Sequence, residues 1–202
     1  MKVHFIRHAQ AIERSTDLPD ELRNLTCRGR KRFRKVAATF RKIDISPDII
    51  VTSPKIRAVQ TAEILSETIR FSGELKVLPE LGENPGMATL STILNSYSMA
   101  GDIVIVGHEP WLGELIGKLL SIKSIPYLPK GCVVSLKIFS GKSEISAELT
   151  GMITGSGKSI NRSASAAERL FTKRDLAANN GTEAGSETFP EKGDPNGKRS
   201  KT

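Results

Sequence analysis

Apolar residues fall along this chain in short dense runs, separated by longer stretches in which they recur at helical spacing. The first run, Val3-His4-Phe5-Ile6, stops on Arg7-His8-Ala9. Its few polar positions predict a strand over 2–7 that is buried on both faces. Residues 9–25 are polar and include Asp17, Pro19 and Asp20, which predicts a loop covering the end of that strand. Thr26 is placed to cap a helix running to about Lys42, with Phe33, Val36, Ala37 and Phe40 on its apolar face. A second buried strand is expected over 48–52. Ser53-Pro54 then predicts a helix start, with Ser as the cap and Pro in the first turn. Ala58, Ala62, Ile64, Leu65 and Ile69 supply that helix's buried side.

A short strand over 74–78, a turn-rich segment over 79–86 and a helix over 88–97 follow. Ile103-Val104-Ile105-Val106 is the clearest buried strand, and it ends on Gly107-His108-Glu109-Pro110. A helix over 111–120 and two strands over 132–139 and 145–149, antiparallel across 140–142, complete the pattern. Strands alternating with helices imply an α/β domain of three layers, an αβα sandwich with helices on both faces of the sheet.

The pattern fades near residue 151, where Ser, Gly, Asn, Lys and Thr take over. The expected organisation is one domain over 1–150 and a Ser/Gly/Lys-rich tail over 151–202. One short helix is expected over 164–178, and disorder from 181 onward. Gly155-Ser156-Gly157-Lys158-Ser159 looks like the end of a phosphate-binding P-loop. Met152 stands where the first Gly of that motif belongs, so a flexible linker is the reading adopted. No internal repeat is visible.

The 202 residues suit one ordinary domain plus an extension. No run approaches the roughly 18 apolar residues of a membrane span. The first residues lead directly into a strand-like run, so no signal peptide is expected. Cys27 and Cys132 have no metal-ligand spacing and read as free thiols of a cytoplasmic protein. The net charge of +8 is uneven: residues 28–42 hold eight basic residues and no acid. That run is either a solvated helix face or a surface for an anionic partner.

Three apolar runs end in groups suited to one chemistry. Phosphoryl transfer to a side chain needs a nucleophile in line with phosphorus, cations on the equatorial oxygens and an acid for the leaving group. His8 is a candidate nucleophile, since a neutral imidazole attacks well near pH 7. Arg7 and Arg57 are candidate guanidinium forks, and His108 is a candidate donor to the same oxygens. His4, inside the first strand, reads as a packed histidine, Trp111 as core, and Glu109 as a cap for the next helix.

The motifs Ile6-Arg7-His8-Ala9, Ser53-Pro54 with Arg57-Ala58 and Thr61-Ala62, and Val106-Gly107-His108-Glu109-Pro110 resemble the signature of the histidine phosphatase superfamily. Asn24-Leu25-Thr26 followed by Gly29 is similar to a segment of its small SixA-type branch. The resemblance spans about residues 1–150 and implies a phosphoglycerate mutase-like fold with a mostly parallel central sheet. It implies His8 as the phosphorylated nucleophile, Arg7, Arg57 and His108 as the phosphate pocket, and neither metal nor organic cofactor. Ala9 stands where many members have Gly. Leu78-Pro79-Glu80 resembles the segment that carries the proton donor in larger members, which implies Glu80 in that role. The Gly and aromatic residues that usually follow are missing, and Glu83 is a second candidate.

The expected function is therefore a metal-independent phosphatase acting through a phosphohistidine intermediate. A short chain without a large capping insertion favours a phosphohistidine-bearing protein as substrate. The alternatives are a small phosphomonoester, or a non-catalytic module that binds a phosphorylated ligand. Nothing marks a second site that would hold and reorient a bisphosphate.

Overall fold

The computed structural model describes residues 1–122, 125–140 and 145–161. Seven strands form one sheet in the order β3-β2-β4-β1-β5-β6-β7. They are β1 (Lys2–Arg7), β2 (Ile49–Thr52), β3 (Glu74–Val77), β4 (Asp102–Gly107), β5 (Val133–Ser140), β6 (Ile145–Ile153) and β7 (Ser159–Ile160). Pairing is parallel from β3 through β2 and β4 to β1, and antiparallel from β1 to β7.

Side chains alternate across the central strands, so each strand feeds two cores. Val3, Phe5, Ile49, Val51, Ile103 and Ile105 pack on one face beneath α3 (Met87–Ser96) and α4 (Trp111–Leu119). Ile6, Ile50, Val104 and Val106 pack on the other beneath α1 (Cys27–Lys42) and α2 (Ile56–Ile69). The helix after β1 therefore lies on one face and the helix after the adjacent β4 on the other. Open α/β sheets bind ligands at such a divide, outside the carboxyl ends of the strands.

Local chemistry accounts for the helix boundaries. Thr26 Oγ1 accepts the Gly29 amide at 2.9 Å and so caps α1. Gly29 cannot carry a side chain, because a Cβ there would collide with the Gln10 carbonyl. That close approach fixes the start of α1 against the loop after β1. His4 is packed as expected, between Ser135 Oγ at 2.8 Å and Asp102 Oδ1 at 2.9 Å.

Two expectations need correction. The anticipated helix start at Ser53-Pro54 is delayed: α2 begins at Ile56, and its preceding residue, Lys55, makes no side-chain cap. The Ser53 hydroxyl has another partner, given below. The boundary expected at residue 150 falls inside β6, and β7 adds a further strand. Met152 and Ile153 are buried in the core, so apolar residues beyond the composition change still find the sheet. The P-loop lookalike is the turn joining β6 to β7, closed by Gly157 N donating to Thr154 O at 2.8 Å. Gly157 has φ +89°, a value that favours glycine. The helix expected over 164–178 and the segment expected to be disordered lie outside the described residues. No helix among the described residues is long and apolar enough to cross a membrane.

Candidate active site

Three parallel strands end side by side, and each delivers one polar group. β1 runs into His8, β2 into Ser53 and β4 into His108. The turn at His8 is held on several sides. His8 N donates to Gly107 O at 3.0 Å, Gly131 N donates to His8 O at 3.1 Å, and Ala9 N donates to Thr61 Oγ1 at 3.0 Å. Thr61 in turn donates to the carbonyl of Arg57, one α-helical turn earlier. Gly107 is required here, because a Cβ would overlap the indole of Trp111. The imidazoles of His8 and His108 lie 5.0 Å apart between ring centroids.

Hydrogen bonding sets the state of each ring. His8 Nδ1 lies 2.7 Å from the carbonyl oxygen of Ala9, which can only accept. The proton therefore sits on Nδ1, and Nε2 keeps a free lone pair. Burial drives the His8 pKa down to about 3, the bond to Ala9 opposes the shift, and the charges of Arg57, Arg7 and Lys130 add to it. The ring is neutral at ordinary pH. His108 is lowered to about 2, mainly by burial and then by His8 and Arg57. Its Nε2 lies 2.8 Å from Ser53 Oγ, an oxygen that also accepts the Lys55 amide at 3.3 Å. The contacts allow the Ser53 hydroxyl to donate to Nε2, an arrangement that puts the His108 proton on Nδ1. That buried nitrogen has no protein partner.

The guanidinium groups are anchored from outside. Arg7 donates from Nη1 to Leu128 O at 2.6 Å, and its guanidinium carbon lies 4.9 Å from the centre of the Tyr127 ring. Arg57, only 4 % exposed, donates to the carbonyl and to Oδ2 of Asp20, the latter at 2.8 Å. Arg14, Arg23 and Lys55 also meet the Asp20 carboxylate, at 3.1, 3.2 and 3.6 Å. Burial alone would raise the Asp20 pKa, but the bond from Arg57 and the charges of Arg57, Arg23 and Lys55 hold it well below the usual carboxylate range. The buried Nε atoms of Arg7 and Arg57 have no protein acceptor. The site thus combines one free imidazole nitrogen with buried N–H groups that have no protein acceptor and suit the oxygens of an anion.

His8, Arg57 and His108, three of the five candidates, form one buried cluster, and the Arg7 guanidinium is near enough for its charge to act on His8. Glu80 does not join them. It is exposed on a 3-10 helix (Pro79–Gly82) after β3, where it lines a groove of about 650 Å³ with Lys76, Thr89 and Tyr97. Gly82 at the end of that helix packs on Pro54, so the backbone is close while the carboxylate is not bonded to the cluster. Glu83 is exposed as well.

Asp20 and Arg23 were missed in the sequence. The signal was present as an acid among bases in a polar loop, but only the fold brings it to Arg57. Glu109 does more than cap. Its carboxylate accepts the Gly113 amide at 3.3 Å and the Leu128 amide at 2.8 Å, pinning the residue whose carbonyl receives Arg7. Burial pushes its pKa up to about 6 against those bonds.

Residues 3–89 match the model of the histidine phosphatase superfamily (branch 1). The chain is 34% identical over 116 residues to an uncharacterized protein of Picosynechococcus sp., a match covering 56% of this chain and 70% of the relative. The chain belongs to the histidine phosphatase superfamily. It is a phosphatase of the SixA-type branch. It is 24% identical to the phosphohistidine phosphatase SixA of Escherichia coli over 140 residues, 68% of this chain and 86% of that protein. Its fold is that of the protein histidine phosphatase SixA solved with tungstate, at a TM-score of 0.67 and 21% identity, covering 77% of this chain and 97% of the other.

Proposed function

We propose that this phosphatase hydrolyses phosphohistidine on protein substrates, through a phosphoryl group carried transiently on His8 Nε2. The observation that carries the reading is the 2.7 Å bond from His8 Nδ1 to the Ala9 carbonyl. It fixes the tautomer, and burial keeps the ring neutral, so the remaining nitrogen is a nucleophile without any proton transfer.

In the first step, Nε2 attacks phosphorus and the phosphorus–nitrogen bond of the substrate breaks. The substrate ring, protonated by solvent on its other nitrogen, departs with the bonding pair as a neutral imidazole, and His8, which keeps its Nδ1 proton, becomes a phosphorylated imidazolium. Arg7 and Arg57 share the charge on the non-bridging oxygens, and His108 donates to one of them from Nδ1. In the second step, water attacks the phosphorylated His8. The new phosphorus–nitrogen bond breaks, inorganic phosphate leaves and the imidazole returns to its neutral form. An imidazole whose conjugate acid has a pKa near 6.5 is a far better leaving group than an alkoxide, so it needs less help from an acid. This fits a site in which Glu80 is not bonded to the cluster.

The test is incubation of wild type and His8→Ala, in chelator, with a phosphohistidine peptide and with an aryl phosphate. Phosphate release is followed together with acid-labile label on the enzyme. The expected result is turnover of the peptide, transient label in wild type, and loss of both in a folded His8→Ala by about a thousandfold or more. Turnover that survives the substitution would overturn the proposal.

A further inference from the structure

The outer face of α1 carries an arrangement of charge that works against its own helix. Of its eight basic residues, Arg28, Lys31, Arg32, Arg34, Lys35, Arg41 and Lys42 are exposed and Arg30 is half-buried. The first turn contains no acid, so cations sit where the helix dipole favours anions. Arg28 with Arg32, Arg30 with Arg34 and Lys31 with Lys35 are like-charge pairs four residues apart, which repel. Among the described residues no acidic side chain forms an ion pair with any of them. Residues 162–202 offer no compensating excess of acid, holding eight basic and six acidic residues. A surface that costs local stability in this way is expected where function needs it.

Position says what the function is. The helix starts at the site: Thr26 N and Oγ1 both donate to the carbonyl of Gln10, two residues beyond His8. From there α1 extends for about 24 Å. Phe33 and Phe40 are buried under the helix, so its exposed face presents no ring on which a base would stack. We propose that the basic face of α1 docks an acidic segment of the phosphoprotein substrate, holding its phosphohistidine at the His8 pocket. This rests on the phosphoprotein reading of the site. An extended acidic tract of about seven residues matches the helix in length.

The test uses the full chain and two synthetic peptides, each phosphorylated on one histidine and followed by a tract of Glu or of Gln. The variant Lys31→Gln/Lys35→Gln/Lys42→Gln removes three exposed charges between the first turn and the end of α1 and touches none of the pocket residues. Wild type is expected to show a KM about tenfold lower for the Glu peptide, with equal kcat, and high salt and the triple variant both abolish the difference. Fluorescence anisotropy with the unphosphorylated Glu peptide reads docking without turnover and shows the same loss. Equal KM values in wild type, or a preference that survives in the triple variant, overturn the docking surface. So does a variant that loses affinity for a nucleic acid duplex while its peptide kinetics stay unchanged. Failure to hydrolyse either peptide, with anisotropy intact, overturns the phosphohistidine reading and leaves a surface that binds acidic segments.

Discussion

Two clusters of positive charge lie within a few residues of each other in this molecule and are built in opposite ways. At the pocket, Arg14, Arg23, Lys55 and Arg57 converge on one carboxylate, Asp20. On α1, eight cations share a helix with no acid. The first cluster is neutralised enough to be held in fixed geometry, and its most buried member, Arg57, is oriented by two bonds to Asp20. The second is left to solvent and repels itself. Chemistry on a phosphoryl group needs donors fixed to a fraction of an ångström. Attraction of an anionic partner needs only a field, which mobile side chains supply.

If that contrast is right, the largest effects belong to the pocket. Arg57→Ala should lower kcat/KM by about a hundredfold or more, because a fork that no other side chain replaces is lost. Steady-state kinetics on a phosphohistidine peptide check this, and a loss under threefold would break the comparison. Asp20→Ala acts through Arg57 and should cost about tenfold in kcat/KM. It should also lower stability by about 1 kcal/mol, a figure kept small because the carboxylate is partly exposed.

The two pocket imidazoles give a prediction about pH. Their ordinary pKa of 6.5 is lowered in the folded chain to about 3 for His8 and about 2 for His108. Between those limits the unfolded chain binds protons that the folded chain refuses. Stability is therefore undiminished above pH 6.5 and falls as pH drops toward 3. Denaturant midpoints measured across that range should show the slope, and His8→Asn with His108→Asn should flatten it. A slope unchanged in the double variant would show that other groups control acid unfolding.

The smallest effect has the opposite sign. Lys31→Glu should stabilise the protein by about 0.5 kcal/mol, since it removes repulsion from Lys35 and places an acid nearer the helix start. A thermal melt reads this directly. Destabilisation would mean that the basic face makes contacts that give it a structural purpose.

The parallel half of the sheet was legible because its strands are buried on both faces and read as unbroken apolar runs, as in residues 103–106. The antiparallel half was harder. β6 alternates half-buried and exposed residues from Ile145 to Thr150, and Gly151 then looks like the start of a linker, although the strand continues to Ile153. Ser53 was misread for a related reason. A Ser before a Pro is a common helix start, and local pattern cannot reveal that a histidine 55 residues away competes for its hydroxyl.

By itself the sequence determined which candidate residues stand at the ends of the apolar runs and which faces of the helices are apolar, since both follow from residue type and periodicity. It also determined that the charge of α1 is unbalanced. Only the tertiary structure decided the tautomer of His8, the partner of Ser53, the grip of Asp20 on Arg57 and the exposed position of Glu80. Each depends on which groups meet across the ends of strands far apart in sequence, and hydrogen bonds at about 3 Å are set by the packing of the whole sheet rather than by any local pattern.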